Sequence, residues 1–227
     1  MYVFTLIEKG AQTMRKVKKL GILLAVLALV GVSRPGTAQV TLTFEGLQHL
    51  EEVLDFYNGG TGSMGSAGPN YGVAFGGAFA GIEALSNFTN EPSPVTAITF
   101  LSGGSTVMNV ASGFTDSLSF WYSSVDFNGA VNIFDGLNGT GNLLATVPLT
   151  ALGSDGTLGK PFDRWQLVIV PFVGVARSAD FSGATNRIGF DDITFTRLLV
   201  VPEPGSFALF GSLVLTGAGF LFLRRRA

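Results

Sequence analysis

Across residues 39–201, apolar and polar residues alternate in short runs, and glycine breaks the runs every few positions, a pattern that limits the chain to short strands joined by turns. Val40, Leu42 and Phe44 interleave with Thr41 and Thr43, and Leu118, Phe120 and Tyr122 interleave with Ser117, Ser119 and Ser123. Leu143, Ala145, Val147 and Leu149 form a third run. A period of two sends successive side chains to opposite faces, so each run has one dry side and one wet side. Strands of this kind bury their dry sides by stacking sheet on sheet, which predicts an all-β sandwich. The chain has no cysteine, so the sandwich must be held by packing alone, and fifteen of the chain's 20 phenylalanines lie within residues 39–201. The same absence excludes a disulfide scaffold, a thiolate nucleophile and cysteine-ligated zinc.

Four stretches depart from simple alternation. Trp165, Leu167 and Ile169 open a more uniformly apolar run that reaches Val175, which predicts a central strand covered on both faces, with Trp165 in the core. Leu47, Leu50, Leu54 and Tyr57 have helical spacing and predict one short helix. Gly60-Thr61-Gly62-Ser63-Met64-Gly65 formally satisfies a dinucleotide fingerprint, but no apolar helix follows and Pro69 interrupts, so it reads as a surface loop. Asp135-Gly136-Leu137-Asn138-Gly139 has tight-turn chemistry and lacks the ligand spacing of a calcium loop.

The ends of the chain carry addresses. Met14 is followed by Arg15, Lys16, Lys18 and Lys19, then by an uncharged apolar run over residues 20–32 and the small residues Gly36-Thr37-Ala38. That is the layout of a secretory signal peptide over residues 1–38, with cleavage between Ala38 and Gln39. At the other end residues 205–223 are uncharged and long enough for a membrane helix. Arg224, Arg225 and Arg226 follow, and a basic cluster stays cytoplasmic, which places Pro202-Glu203-Pro204 outside.

Pro202-Glu203-Pro204, the apolar span and the terminal arginines together resemble the PEP-CTERM sorting signal of Gram-negative bacteria. The resemblance implies cutting near the Pro-Glu-Pro by exosortase, a membrane-embedded cysteine protease, in cells that secrete exopolysaccharide. It implies brief residence in the cell membrane and release to the cell surface or extracellular matrix. Independently, two prolines keep the segment extended and accessible above the membrane. Thr43-Phe44-Glu45-Gly46-Leu47 and Ile188-Gly189-Phe190-Asp191-Asp192-Ile193-Thr194-Phe195 are similar to words in the β-sandwich bodies of PEP-CTERM proteins and in carbohydrate-binding jelly rolls. This resemblance implies a jelly-roll-like sandwich over residues 39–201.

Those residues hold fourteen acidic side chains against Lys160, Arg164, Arg177, Arg187 and Arg197, a net charge of −9. Such a domain repels phosphate backbones, so nucleic acid is not an expected partner. His49 is the only histidine and reads as a solvated residue beside Glu51 and Glu52; no G-x-S-x-G or H-E-x-x-H motif exists, and nothing marks a catalytic carboxylate pair. The first expectation is therefore a non-enzymatic structural or adhesive component of the surface matrix. A carbohydrate-binding module is the alternative, and a secreted glycan-active enzyme is the third reading. Parity puts Trp121 opposite Phe120 and Tyr122, on the polar face, as a sugar-stacking candidate. Ile188 and Phe190 differ in parity from Ile193 and Phe195, so a β-bulge is expected at Asp191-Asp192. No cofactor is expected beyond a structural Ca²⁺ at that point. In the jelly rolls this body resembles, such an ion sits where first and last strands meet, which points to Glu45, Asp191 and Asp192.

Overall fold

The computed structural model describes residues 36–156 and 159–199. The predicted signal segment up to Pro35, the Pro202-Glu203-Pro204 motif, the span 205–223 and Arg224, Arg225 and Arg226 lie outside them. No helix among the described residues is long and apolar enough to cross a membrane.

Ten strands follow in order: β1 Gly36–Leu42, β2 Val73–Gly76, β3 Phe79–Ile82, β4 Thr96–Thr99, β5 Ser105–Ser124, β6 Gly129–Phe134, β7 Leu143–Leu149, β8 Gln166–Pro171, β9 Ala176–Ser182 and β10 Ile188–Leu199. The architecture is an all-β sandwich, and β5 is its fold line. The ladder from β5 to β9 breaks between Asn109 and Phe114, where Gly113 takes φ 84°, and Asp116 just beyond takes φ 73°. Before the break β5 pairs with β2 and β9, and after it with β8 and β10. One layer therefore runs β2-β5-β9-β6-β7. The other runs β8-β5-β10-β4-β3, with β1 taking the place of β4 along the second half of β10.

Phe181 from the β9 layer meets Phe120 and Phe190 from the other edge to face, with ring centroids 5.5 and 5.0 Å away. Phe114 makes a second aromatic knot with Phe172 and Phe195. All three rings of the first knot are fully buried, and aromatic rings of this size bring the largest apolar areas a side chain can bury.

Two of the three alternating runs behave as their parity predicts; in the third, on edge strand β7, only Leu149 is buried, Ala145 and Val147 are half-buried and Leu143 is exposed. Val40 and Leu42 are buried, as are Leu118, Phe120 and Tyr122. The Asp135 turn joins β6 to β7, its carboxylate accepting the Asn142 N–H at 2.7 Å. The phase shift in β10 falls between Asp191 and Thr194 and lets Ile188, Phe190, Ile193 and Phe195 all reach the core. Pairing of β1 with β10 starts at Gly36 opposite Leu199, so cleavage after Ala38 would remove three pairs and leave the four from Gln39 to Leu42.

Three expectations are corrected. No helix forms around Leu50 and Leu54, which take φ 62° and 44°. The backbone there bonds outward instead: Leu50 N–H donates to Ala80 O and Val53 N–H to Ala78 O, so the segment laces onto β3. The Trp165 run is not central. β8 lies at a layer edge, leaving Leu167 and Ile169 45% and 62% exposed, with Val170 buried on the other face. Trp165 belongs to a satellite cluster with Phe88, Phe162, Ala97 and Val125, and its Nε1–H donates to Thr89 O at 2.9 Å. That cluster can sit flat on the sheet because Gly189 has no side chain: a Cβ there would strike the Phe88 ring.

Candidate functional site

The outer face of the β8-β5-β10 layer carries the predicted aromatic. Trp121 is half-buried, opposite Leu167 on one side and Asp191 on the other. Ser119 and Ile169 form the next cross-strand pair on the same face. An indole with two exposed aliphatic neighbours makes an apolar strip on a layer edge, and its width comes from β8 being an edge strand. Parity put Trp121 on the outer face, where it lies half-buried, and did not reveal Leu167 and Ile169 beside it, because a continuous apolar run reads as buried.

Glu45, Asp191 and Asp192 come together where the β1 exit meets β10. Asp191 is fully buried although it lies on the outer parity, because the loop over residues 83–95 covers it. Its carboxylate accepts Ser93 N–H at 3.0 Å and Ser93 Oγ–H at 2.9 Å, and one oxygen also accepts the Asp192 N–H at 2.7 Å. Burial pushes Asp191 up to about 7; the Ser93 bonds offset part of this, and the like charge of Asp192 adds to it. Asp192, at φ 47°, is also raised, chiefly by burial. Glu45 accepts Thr96 N–H at 3.0 Å and is raised by burial, with Asp192 contributing. Glu91 is raised by burial and by Glu83 and Glu45, and its Oε1 is buried with no hydrogen-bond partner. As placed, no three His, Asp or Glu side chains among the described residues form a metal-binding group.

The sequence reading named Glu45, Asp191 and Asp192 and did not name Ser93 or Glu91. The signal was present in Glu91-Pro92-Ser93-Pro94, where flanking prolines leave Ser93 as the one residue of the three from Pro92 to Pro94 with an N–H to give.

A second buried acid, Glu51, organises the glycine-rich loop. Its oxygens accept N–H groups from Gln48 at 2.8 Å, Met64 at 3.0 Å and Ser66 at 3.0 Å. Burial alone would raise its pKa, but these donors together outweigh burial and hold it below the ordinary carboxylate value. The loop closes over it because Gly62 lacks a side chain; a Cβ there would collide with the Glu51 carboxylate. His49 is half-buried, and its Nδ1 accepts the Ile82 N–H at 3.4 Å, which ties it to the end of β3 where solvation was expected.

No protein-family model matches the chain, and no curated protein matches it. Among solved structures it is similar to the K2 cleaved adhesin domain of Lys-gingipain, at 16% identity and TM-score 0.45 over 70% of this chain and 97% of that one. It is similar to the K1 cleaved adhesin domain of Lys-gingipain from Porphyromonas gingivalis W83, at 13% identity and TM-score 0.44, again over 70% and 97%. A family 29 carbohydrate-binding module from Piromyces equi matches at 8% identity and TM-score 0.38 over 71% of this chain and 91% of that chain.

Proposed function

We propose that this protein is an exported, non-enzymatic component of a bacterial surface matrix, sorted by exosortase through Pro202-Glu203-Pro204 and left there as an adhesive β-sandwich. The observation that carries the reading is the C-terminal order of Pro-Glu-Pro, apolar span 205–223 and Arg224, Arg225 and Arg226. The last strand supports it: β10 ends at Leu199, so a cut near Pro204 takes away the tail and no part of the described sandwich. Intact-mass analysis of secreted protein is expected to show a mature start near Gln39 and an end near Pro204. Secreted protein that still carries residues 205–227 would refute sorting by cleavage.

The adhesive contact assigned to this domain is a glycan stacking on Trp121, with Leu167 and Ile169 widening the apolar strip. The electron-rich indole face suits the C–H face of a sugar ring, and its exposed part is what such a contact covers. Trp121→Ala is expected to lose most of the retardation that a neutral polysaccharide causes in a native gel, without a change in fold. Unchanged retardation would remove this contact.

A second reading adds a structural Ca²⁺ at the junction of β1 and β10, favoured by the unpartnered Glu91 Oε1. With Asp191 engaged by Ser93, Glu45, Asp192 and Glu91 are the side chains that would hold the ion. Hard oxygen donors without His or Cys suit Ca²⁺, whose charge would offset the burial that keeps these acids raised.

A further inference from the structure

The outer face of the other layer carries polar groups that no contact described so far uses. Asp180 on β9 stands between Val107 of β5 and Asn132 of β6, and its chain neighbours Ala179 and Phe181 are fully buried, so Asp180 points outward. Thr146 of β7 pairs with Asn132, and Gly76 of β2 pairs with Val107, so the five residues Gly76, Val107, Asp180, Asn132 and Thr146 form one row across the layer. Four inter-strand steps make that row about 19 Å long. This is a strip with the length of a short oligosaccharide.

A wall stands along one side of the strip. The β6–β7 turn folds back onto the sheet, where Asn138 N–H donates to Asn109 Oδ1 at 2.7 Å and Gly139 N–H to Ser178 Oγ at 3.0 Å. The Ser178 hydroxyl in turn donates to Gly136 O at 2.6 Å. A Cβ on Gly139 would lie 4.0 Å from the Asp180 Cβ, so the wall is directly beside the carboxylate. At the far end the row is open, because a Cβ on Gly76 would meet nothing within 4 Å.

The chemistry of the row is an acceptor beside a donor, neither fully spent. Of the Asp180 carboxylate, Oδ1 is buried with no hydrogen-bond partner, and Oδ2 is the acceptor left to face outward. The Asn132 carbonyl oxygen accepts the Thr146 hydroxyl at 2.7 Å, which leaves the Nδ2 amide hydrogens as what Asn132 has to offer. A vicinal diol donates one hydroxyl to a carboxylate and accepts from an amide with the other. The net charge of −9 and the Asp180 carboxylate itself argue against acidic sugars.

We infer that this row is a second glycan-contact surface, on the opposite layer from Trp121, in which Asp180 and Asn132 bind vicinal hydroxyls of a neutral polysaccharide. It rests on the reading that the domain meets polysaccharide, and it does not depend on Trp121. With contacts on both outer faces, one domain can hold two chains of the matrix.

The test is native electrophoresis of the mature secreted protein in gels containing barley β-glucan, galactomannan, dextran or alginate, with melting temperatures recorded for every variant. Wild-type protein is expected to be retarded by at least one neutral polysaccharide and not by alginate. Asp180→Asn keeps the shape and removes the charge, and is expected to weaken that retardation roughly tenfold. Gly76→Gln places a side chain on the open end of the row and is expected to weaken it without moving the melting temperature. Retardation unchanged in both variants overturns the inference, and if Trp121→Ala alone abolishes it the Trp121 contact stands without this one. Loss in Asp180→Asn and Gly76→Gln with Trp121→Ala unaffected supports the row and removes the Trp121 contact. Retardation by alginate, or by none of the neutral polysaccharides, overturns the inference, and the latter outcome also removes the glycan reading.

Discussion

Glu51→Ala is expected to destabilise the folded protein by about 3 kcal/mol, since an N–H left without an acceptor in a buried setting costs about 1–3 kcal/mol and hydration of the loosened loop recovers part of the sum. Three donors lose their acceptor at once, those of Gln48, Met64 and Ser66. The loop over residues 58–72 would then lose its inner support, because it closes on the carboxylate through Gly62. Glu51→Gln is the informative companion. It fills the same volume but offers one acceptor oxygen and turns an NH₂ toward an N–H donor, so a smaller loss of the same sign is expected. Urea titration of the two variants checks the order. A loss below about 1 kcal/mol for Glu51→Ala would mean that water replaces the carboxylate without penalty. The pH sign is also fixed: a carboxyl held below its ordinary value contributes stability that is present above that value and lost as pH falls through the folded one.

Glu51 also marks the limit of what was legible in the sequence. Strands with one buried face announce themselves, because parity alone decides which side chains face the core; Leu118, Phe120 and Tyr122 needed no further information. The bulge in β10 was legible for the same reason, since four apolar residues on two parities can reach one core only if the chain shifts phase between them. Edge position leaves no such trace. Leu167 and Ile169 are as apolar as any central-strand residues, and only the pairing of β8 with β5 shows that their outer side stays open. The helical spacing of Leu47, Leu50, Leu54 and Tyr57 misled because partners elsewhere on the chain, Ala78 and Ala80 in particular, claim the backbone groups a helix would use. Of the acidic junction, Glu45 and the Asp191-Asp192 pair could be found from strand order. Ser93 arrives from a loop about a hundred residues away in sequence, and Asp180 and Asn132 become neighbours only through the pairing of β6 with β9.

In metal-free protein, held in chelator, stability is expected to fall as pH rises from about 4 to about 7, and Asp191 is the main cause. Its folded pKa of about 7 lies above the ordinary 3.8, because the covering loop strips water from the carboxylate and Asp192 adds like charge. Between those two values the folded state binds the proton and the unfolded state does not, so the slope of unfolding free energy against pH is negative. The contribution is fully present below the ordinary value and gone once pH passes the folded one. A shift of this size corresponds to at most about 4 kcal/mol across the window. Glu45, Asp192 and Glu91 are raised as well and act in the same direction, whereas Glu51, Asp135 and Asp163 are lowered and act in the opposite one. The slope belonging to Asp191 is therefore the difference between wild type and Asp191→Asn, which cannot ionise at that position. Melting curves across the window should show the wild-type slope flattening in Asp191→Asn; equal slopes in the two proteins would exclude Asp191 as the source. Replacing chelator with Ca²⁺ separates the structural-ion reading from this one. A cation at the junction favours the ionised acids, so its stabilisation should grow with pH, oppose the metal-free slope and disappear in Glu45→Gln together with Asp192→Asn. A Ca²⁺ effect that is absent, or that survives those two changes, removes the ion from the junction and leaves the proton as the group that neutralises Asp191.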